Sequence, residues 1–563
     1  MSKRSMHLWL ILLWSLTTYG HASEQTLDII LSGGMLYDGT NQPGRKADIG
    51  IQGQQIAVIG DLSNTQARQR VDVTGLAVAP GFINMLSWAT ESLLIDGRSQ
   101  GDIRQGVTLE IFGEGRSMGP INTSMRQQML ERQSDYRFDI PWTSLGEYLE
   151  HLVSQGVSPN VASYVGATSI RVHELGYANR PPTPVELQRM QQLVAQAMQQ
   201  GALGVGSSLI YAPAFYADTE ELVALMQTAA SYGGAYISHL RSEGNQIEAS
   251  IDELIEIARR SGAPAQIYHL KLAGKSNWHK FPSVVDKIEQ ARSLGLNISA
   301  NMYTYTAGST GLDAAMPPWS QEGGYAAWAE RLQQPEMRAQ IRQEMTTATD
   351  AWENLLLAAG ADNTLLVGFR NPKLRAYTGR TLASVAQERG TSVADTAMDL
   401  VVEDGSRVQV VYFLMSEENV RNTLALPWVS FGSDAGSYTN SGVFLQRSTH
   451  PRAYGNFARV LGKYVREEQV IPLHNAIHKL TLLAARSVKI KQRGAVIPGY
   501  YADIAVFAPD QVRDLATYAD PHQYAQGMVH VLVNGEFVLR HGEHTGALPG
   551  QVVRGPGWLG WQE

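Results

Sequence analysis

The sequence predicts an α/β protein: a (β/α)8 barrel, with a small β-sandwich built from both termini and an insertion before the last barrel strand. Two observations carry this prediction. Through the middle of the chain, short apolar runs alternate with amphipathic helical segments, the pattern of parallel strands joined by helices. Both ends read instead as short strands separated by Gly, Asn and Gln turns. The 563 residues leave room for such a barrel with additions, because barrels of this class often exceed about 250 residues.

The elements follow in chain order. Lys3 and Arg4 precede an apolar run from Leu8 to Leu16, and Gly20-His21-Ala22 supplies a small-x-small cleavage pattern. Residues 1–22 therefore read as a cleaved secretory signal, which predicts a periplasmic or secreted protein. No later segment reaches the ~18 apolar residues that a membrane helix needs, so no membrane association is expected after cleavage. The sequence has no Cys, which excludes disulfides, thiolate metal ligands and a cysteine nucleophile. Its formal net charge of −7, without a basic block, argues against nucleic-acid binding.

Residues 23–79 form the N-terminal part of the predicted sandwich, with strands at Leu27 to Leu31, Asp48 to Ile51 and Ile56 to Ile59. Residues 491–563 form the C-terminal part, with strands at Asp503 to Phe507 and Val529 to Leu539, the latter turned by Asn534-Gly535. Residues 80–490 are assigned to the barrel. Its strands fall at Leu76 to Leu86, Val107 to Phe112, Val161 to Val165, Gly204 to Ser208, Ala235 to Ser238, Ala265 to Tyr268, Leu296 to Tyr303 and Trp428 to Gly432. Helices are expected at Pro184 to Gln200, Glu220 to Tyr232, Glu248 to Arg260 and Ser283 to Leu294. The gap between strands seven and eight exceeds any ordinary loop, so residues 308–426 read as an inserted subdomain, with a helix at Thr381 to Glu388.

A barrel's chemistry sits at the C-terminal ends of its strands. Those ends carry Glu114 after strand two, His239 after five, His269 after six and Asp434 after eight. One such histidine is ordinarily a hydrogen-bonded structural residue. Two at consecutive strand ends, in the contexts Tyr-Ile-Ser-His and Gln-Ile-Tyr-His and flanked by acids, point to a metal. With Glu114 they make a three-ligand site open to water, suited to zinc at about 2.0–2.1 Å from nitrogen.

Several motifs add to this. Val78-Ala79-Pro80-Gly81-Phe82-Ile83, the two histidine segments, Tyr303-x-Tyr305-Thr306-Ala307-Gly308-Ser309-Thr310-Gly311, Gly432-Ser433-Asp434, His450-Pro451-Arg452-x-Tyr454-Gly455 and Ala502-Asp503-Ile504 occur in this order. Together the chain resembles the N-acyl-D-amino-acid deacylase (D-aminoacylase) branch of the amidohydrolase superfamily, over nearly all of the sequence after the signal. The resemblance implies a metal-bearing barrel, a terminal β-sandwich and a late insertion. It also implies that Asp434 takes a proton from the attacking water and delivers it to the leaving nitrogen. Lys271 matches the position that receives the substrate carboxylate, with Tyr211 and Tyr305 as tyrosine partners. Arg241, two residues after His239 as Lys271 is after His269, is a further candidate clamp. His450 is a candidate residue behind the site.

The departures from the family pattern are informative. The superfamily carries His-x-His after strand one, where this sequence places Leu86 and Trp88. In the deacylases a strand-two side chain, usually Cys, holds zinc, where this sequence has Gly113-Glu114-Gly115. The resemblance therefore implies one zinc ion, held by Glu114, His239 and His269. The favoured reading is a zinc amidohydrolase acting on small N-acyl amino acids of D configuration. The alternatives are a hydrolase of cyclic amides, dipeptides or esters on the same fold, and a catalytically inactive binding relative that lost its chemistry with His-x-His.

Overall fold

The computed structural model describes residues 26–559; the signal assigned to residues 1–22 lies outside the described residues. Among the described residues no helix is long and apolar enough to cross a membrane.

Eight parallel strand positions form the body. They are Phe82–Asn84, Val107–Phe112, Asn160–Ser163 continued by Val165–Gly166, Gly204–Ser208, Ala235–His239, Ala265–Ile267, Ile298–Met302 and Val429–Phe431. Each pairs in parallel with its neighbour, from Phe82–Asn84 through Asn160–Ser163 and again from Val165–Gly166 to Val429–Phe431. The last strand closes on the first: Met85 N–H donates to the Phe431 carbonyl at 3.1 Å, and Ser87 bridges Ala435 in parallel. The fold is thus an α/β barrel. The strands Val107–Phe112, Gly204–Ser208 and Ala235–His239 are buried along their whole length, which is why they appear in sequence as short runs of apolar and small residues rather than as an alternation with exposed polar ones.

The helices between them follow from local chemistry. Thr183 and Glu186 make a reciprocal capping box, and Pro184 opens the helix Pro184–Gln199. The helix Ile247–Ser261 buries Ile247, Ile251, Leu254, Ile257 and Ala258, a stripe at spacings of three and four, and ends at Gly262 with φ of 69°.

One predicted strand is corrected. The run Leu76 to Leu86 is not a single element: Ala77–Pro80 lies antiparallel to Ile504–Phe507 in a terminal sheet, while Phe82–Asn84 begins the barrel. Gly81 divides them. A Cβ there would meet Thr108 Oγ1 at 2.1 Å, so only glycine lets the chain cross from one sheet to the other. The terminal segments form a four-stranded sheet centred on Leu27–Ser32 and a seven-stranded sheet that includes Ile504–Phe507 and Met528–Val533. Ile29, Leu31 and Ile49 of the first share one apolar cluster with Val78, Ile504 and Leu532 of the second.

Between strands seven and eight, Ala307–Gly311, Gln409–Phe413 and Thr364–Gly368 make an antiparallel sheet in that spatial order. Helices around it share a second apolar cluster that includes Leu312, Trp328, Leu366, Val385 and Met398.

Candidate metal centre and its surroundings

Glu114, His239 and His269 converge at the C-terminal end of the barrel. Glu114 stands between two glycines with positive φ, 109° at Gly113 and 67° at Gly115. At Gly113 a Cβ would meet the Tyr164 carbonyl oxygen at 2.4 Å, so the strand end is tight against strand three and turns the glutamate inward. His239 is the last residue of strand five, paired with Ser208. His269 follows strand six with φ of 34°, its N–H held by Asn301 Oδ1 at 2.8 Å. Asp434 also has positive φ, 50°. Non-glycine residues rarely take that conformation, and it concentrates where a side chain must be aimed.

Glu114 Oε1 lies 3.0 Å from His239 Nδ1 and 2.9 Å from His269 Nε2, with all three side chains buried. The three ligand atoms lie within 4.8 Å of one another, close enough to be offered to one ion. The residues fit the metal in chemistry as well: two imidazoles and one carboxylate with no thiolate, leaving a position open to water. Burial raises the Glu114 carboxyl, but His269 and His239 outweigh it and hold the group well below the ordinary glutamate range.

Sequence reasoning missed the residue behind both imidazoles. Glu243 Oε1 lies 2.9 Å from His269 Nδ1 and 2.6 Å from Lys271 Nζ, and Oε2 lies 3.4 Å from His239 Nε2. Each histidine thus turns one nitrogen to Glu114 and the other toward Glu243. Burial raises the Glu243 carboxyl, yet His239, Lys271 and His269 together hold it below its usual value. The loop carrying it is fastened from the inserted segment, since Glu353 Oε2 accepts the N–H groups of Glu243 at 2.5 Å and Gly244 at 3.0 Å.

Asp434 faces the metal residues across the mouth. Its Oδ2 pairs with Arg452 Nη1 at 2.7 Å, and its Oδ1 accepts from the Trp88 indole N–H at 3.2 Å. Burial raises the Asp434 carboxyl against the opposing pull of Arg452. Arg452 was visible in sequence only as part of a motif, and Trp88 only as a missing ligand.

The remaining candidates divide. Lys271 is at the site, also 2.8 Å from His269 Nδ1. The Tyr211 ring packs edge-on against His239 at 5.3 Å. Arg241 is corrected: both of its terminal groups are spent on Glu253 and on the carbonyls of Phe215 and Ala217, so it braces a loop and offers no clamp. The Tyr305 hydroxyl is directed to Asp514 at 3.3 Å. The tyrosine among the charged groups is Tyr303, with Arg452 4.4 Å and Lys271 5.7 Å from its ring centre. Both tyrosines still line the cleft beside His269 and Lys271. His450 lies behind them, 2.9 Å from the Ala307 carbonyl through Nε2 and accepting the Arg452 N–H through Nδ1. Burial and Arg452 push its pKa well below the usual histidine value, so it stays neutral.

Against known proteins, residues 148–539 match the model of the amidohydrolase family. The chain belongs to the amidohydrolase family. Within it, the chain is 33% identical over 536 residues to D-aminoacylase from Alcaligenes xylosoxydans xylosoxydans, covering 94% of this chain and 98% of that protein. N-acyl-D-glutamate deacylase from the same organism is 30% identical over 94% of this chain and 97% of its own. A solved D-aminoacylase structure concerned with its binuclear metal centre, with one-metal activation and second-metal attenuation, superposes with a TM-score of 0.78. It is 33% identical and covers 94% of this chain and all of its own. The structure of N-acyl-D-glutamate deacylase from Bordetella bronchiseptica, complexed with zinc and a phosphonate mimic of the tetrahedral intermediate, gives 0.76 at 29% identity, with the same coverage. As an amidohydrolase, this chain presents the metal-capable triad at the barrel end where the family fold carries its chemistry.

Proposed function

We propose that the protein is a zinc-dependent amidohydrolase that cleaves the amide bond of N-acyl amino acids of D configuration, using one ion held by Glu114, His239 and His269. The observation that carries this reading is the convergence of those three donors beside Asp434, Lys271 and Arg452 in one cleft. D-aminoacylase and N-acyl-D-glutamate deacylase, similar over nearly the full length, support the substrate class.

A zinc ion bound there would supply Lewis acidity at the substrate carbonyl and acidify a water molecule. Asp434 accepts the proton of the attacking water and returns it to the leaving nitrogen, so the amide nitrogen departs as a neutral amine. Lys271 and Arg452 make the cationic side of the cleft, which suits the free carboxylate of an N-acyl amino acid and has no counterpart in a cyclic imide. Tyr211 closes the wall beside His239.

The same reading takes residues 23–79 and 491–563 as one β-sandwich, 80–490 as the barrel and 308–426 as an insertion that braces the Glu243 loop through Glu353. It takes residues 1–22 as a secretory signal and the protein as periplasmic or secreted. The test is hydrolysis of a panel of N-acyl-D- and N-acyl-L-amino acids by the zinc-loaded protein. Release of free D-amino acid that stops on chelation is expected. Turnover of cyclic amides or esters alone would overturn the substrate assignment.

A further inference from the structure

Glu114, buried, and Asp434, partly buried, meet across the mouth at a shared donor. It is the indole of Trp88, whose N–H lies 2.9 Å from Glu114 Oε2 and 3.2 Å from Asp434 Oδ1. Trp88 stands at the second position of the strand-one pair that the superfamily fills with His-x-His.

We propose that the Trp88 indole N–H takes the place of a second cation, tying Glu114 to Asp434 and positioning Asp434 in a centre built for one ion. The inference rests on the zinc-hydrolase reading above. The backbone is arranged for this contact. Asp434 N–H donates to the Leu86 carbonyl at 2.8 Å, and Trp88 N–H donates to the Ala435 carbonyl at 3.0 Å. Asn84 adds side-chain bonds to Ser433, at 2.8 Å to its hydroxyl and 2.9 Å from its N–H. The two loops are therefore zipped together, and the indole reaches both carboxylates without rearrangement. Trp88 also divides the oxygens of Glu114, taking Oε2 and leaving Oε1 to the histidines.

Two variants test the proposal by metal content and by the split between kcat and KM. Trp88→Phe keeps an aromatic ring and removes only the donor. It should retain one zinc by elemental analysis and the wild-type unfolding temperature, while kcat falls about 10-fold or more and KM moves by less than about twofold. The double variant Leu86→His with Trp88→His restores the strand-one pair, and its zinc content should rise from one per chain to two. Unchanged kcat in Trp88→Phe would overturn the positioning role. A folded double variant that still holds one zinc would overturn the placement of the second cation. Should the wild type hydrolyse none of the acyl-amino-acid panel, the substrate reading fails, and the two zinc counts still decide this inference.

Discussion

Removing Glu243 tests whether one carboxylate supports both the metal ligands and the lysine of the cleft. In Glu243→Ala, Lys271 Nζ loses a partner at 2.6 Å and His269 Nδ1 loses one at 2.9 Å. The Glu243 and Lys271 side chains are 3% and 12% exposed, so water compensates little. Leaving one member of such a pair unpaired costs about 3–5 kcal/mol. Unfolding entropy for a chain this long is on the order of 1.2 kcal/mol per kelvin, so Tm should fall by only about 3–4 °C. The metal is the more sensitive reporter. A histidine ligand whose outer nitrogen donates to a carboxylate is fixed in ring orientation and strengthened as a base, and losing such a partner weakens metal binding about 10–100-fold. Here His269 Nδ1 loses its carboxylate partner at 2.9 Å, while His239 Nε2 loses only a more distant oxygen at 3.4 Å. The assay is zinc competition against a chromophoric chelator for wild type, Glu243→Ala and Glu243→Gln. Glu243→Gln keeps an acceptor oxygen without the charge and should fall between the other two. If Glu243→Ala holds zinc as tightly as wild type while folded, the support assigned to Glu243 is wrong.

Three further outcomes are expected. Asp434→Asn keeps the size and polarity of the side chain but cannot take the water's proton, so kcat should drop about 10²-fold or more with zinc still bound; full activity, or loss of zinc with rate, would contradict its role as base. Lys271→Ala should raise KM more than it lowers kcat, and an amidated, uncharged substrate analogue should be nearly indifferent to the change; equal losses on both substrates would exclude the carboxylate contact. Burial pushes the Glu110 carboxyl from 4.5 up to about 7, against hydrogen bonds from Ser87 and Ser99. The folded protein then binds more protons than the unfolded chain in that window, so stability declines as pH rises through it. Glu110→Gln should gain about 2–3 kcal/mol on wild type at pH 8 and little at pH 4, measured by denaturant midpoints; a pH-independent difference would refute this.

Much of the framework was legible because buried parallel strands announce themselves. Val107–Phe112 and Gly204–Ser208 form at the residues expected, each a short apolar or small-residue run with glycine at an end. The run from Leu76 to Leu86 misled because both of its halves are apolar, and the division rests on how closely Thr108 approaches Gly81, which no periodicity encodes. The asparagine and glycine at 534 and 535, both with positive φ, turn the terminal hairpin where the dipeptide indicated.

The site divides along a physical line. Glu114, His239, His269 and Asp434 could be found because a strand end fixes where a side chain emerges, and the barrel brings the ends together. What a side chain does after emerging depends on partners that spacing does not reveal. Arg241 and Lys271 each stand two residues beyond a histidine, yet Glu253, twelve residues after Arg241 on the next helix, satisfies Arg241, whereas Lys271 meets Glu243 beside the metal residues. Glu243 itself was hidden because its loop is set by Glu353, 110 residues away in the inserted segment. Trp88 shows the opposite error. Read against a family pattern, it counted only as a lost ligand, and the geometry shows a donor bridging two acids. A departure from a metal motif is therefore better read by asking what now satisfies the groups the ion would have satisfied. In this barrel the answer is an indole N–H, which explains how two carboxylates remain side by side where the strand-one histidines are absent.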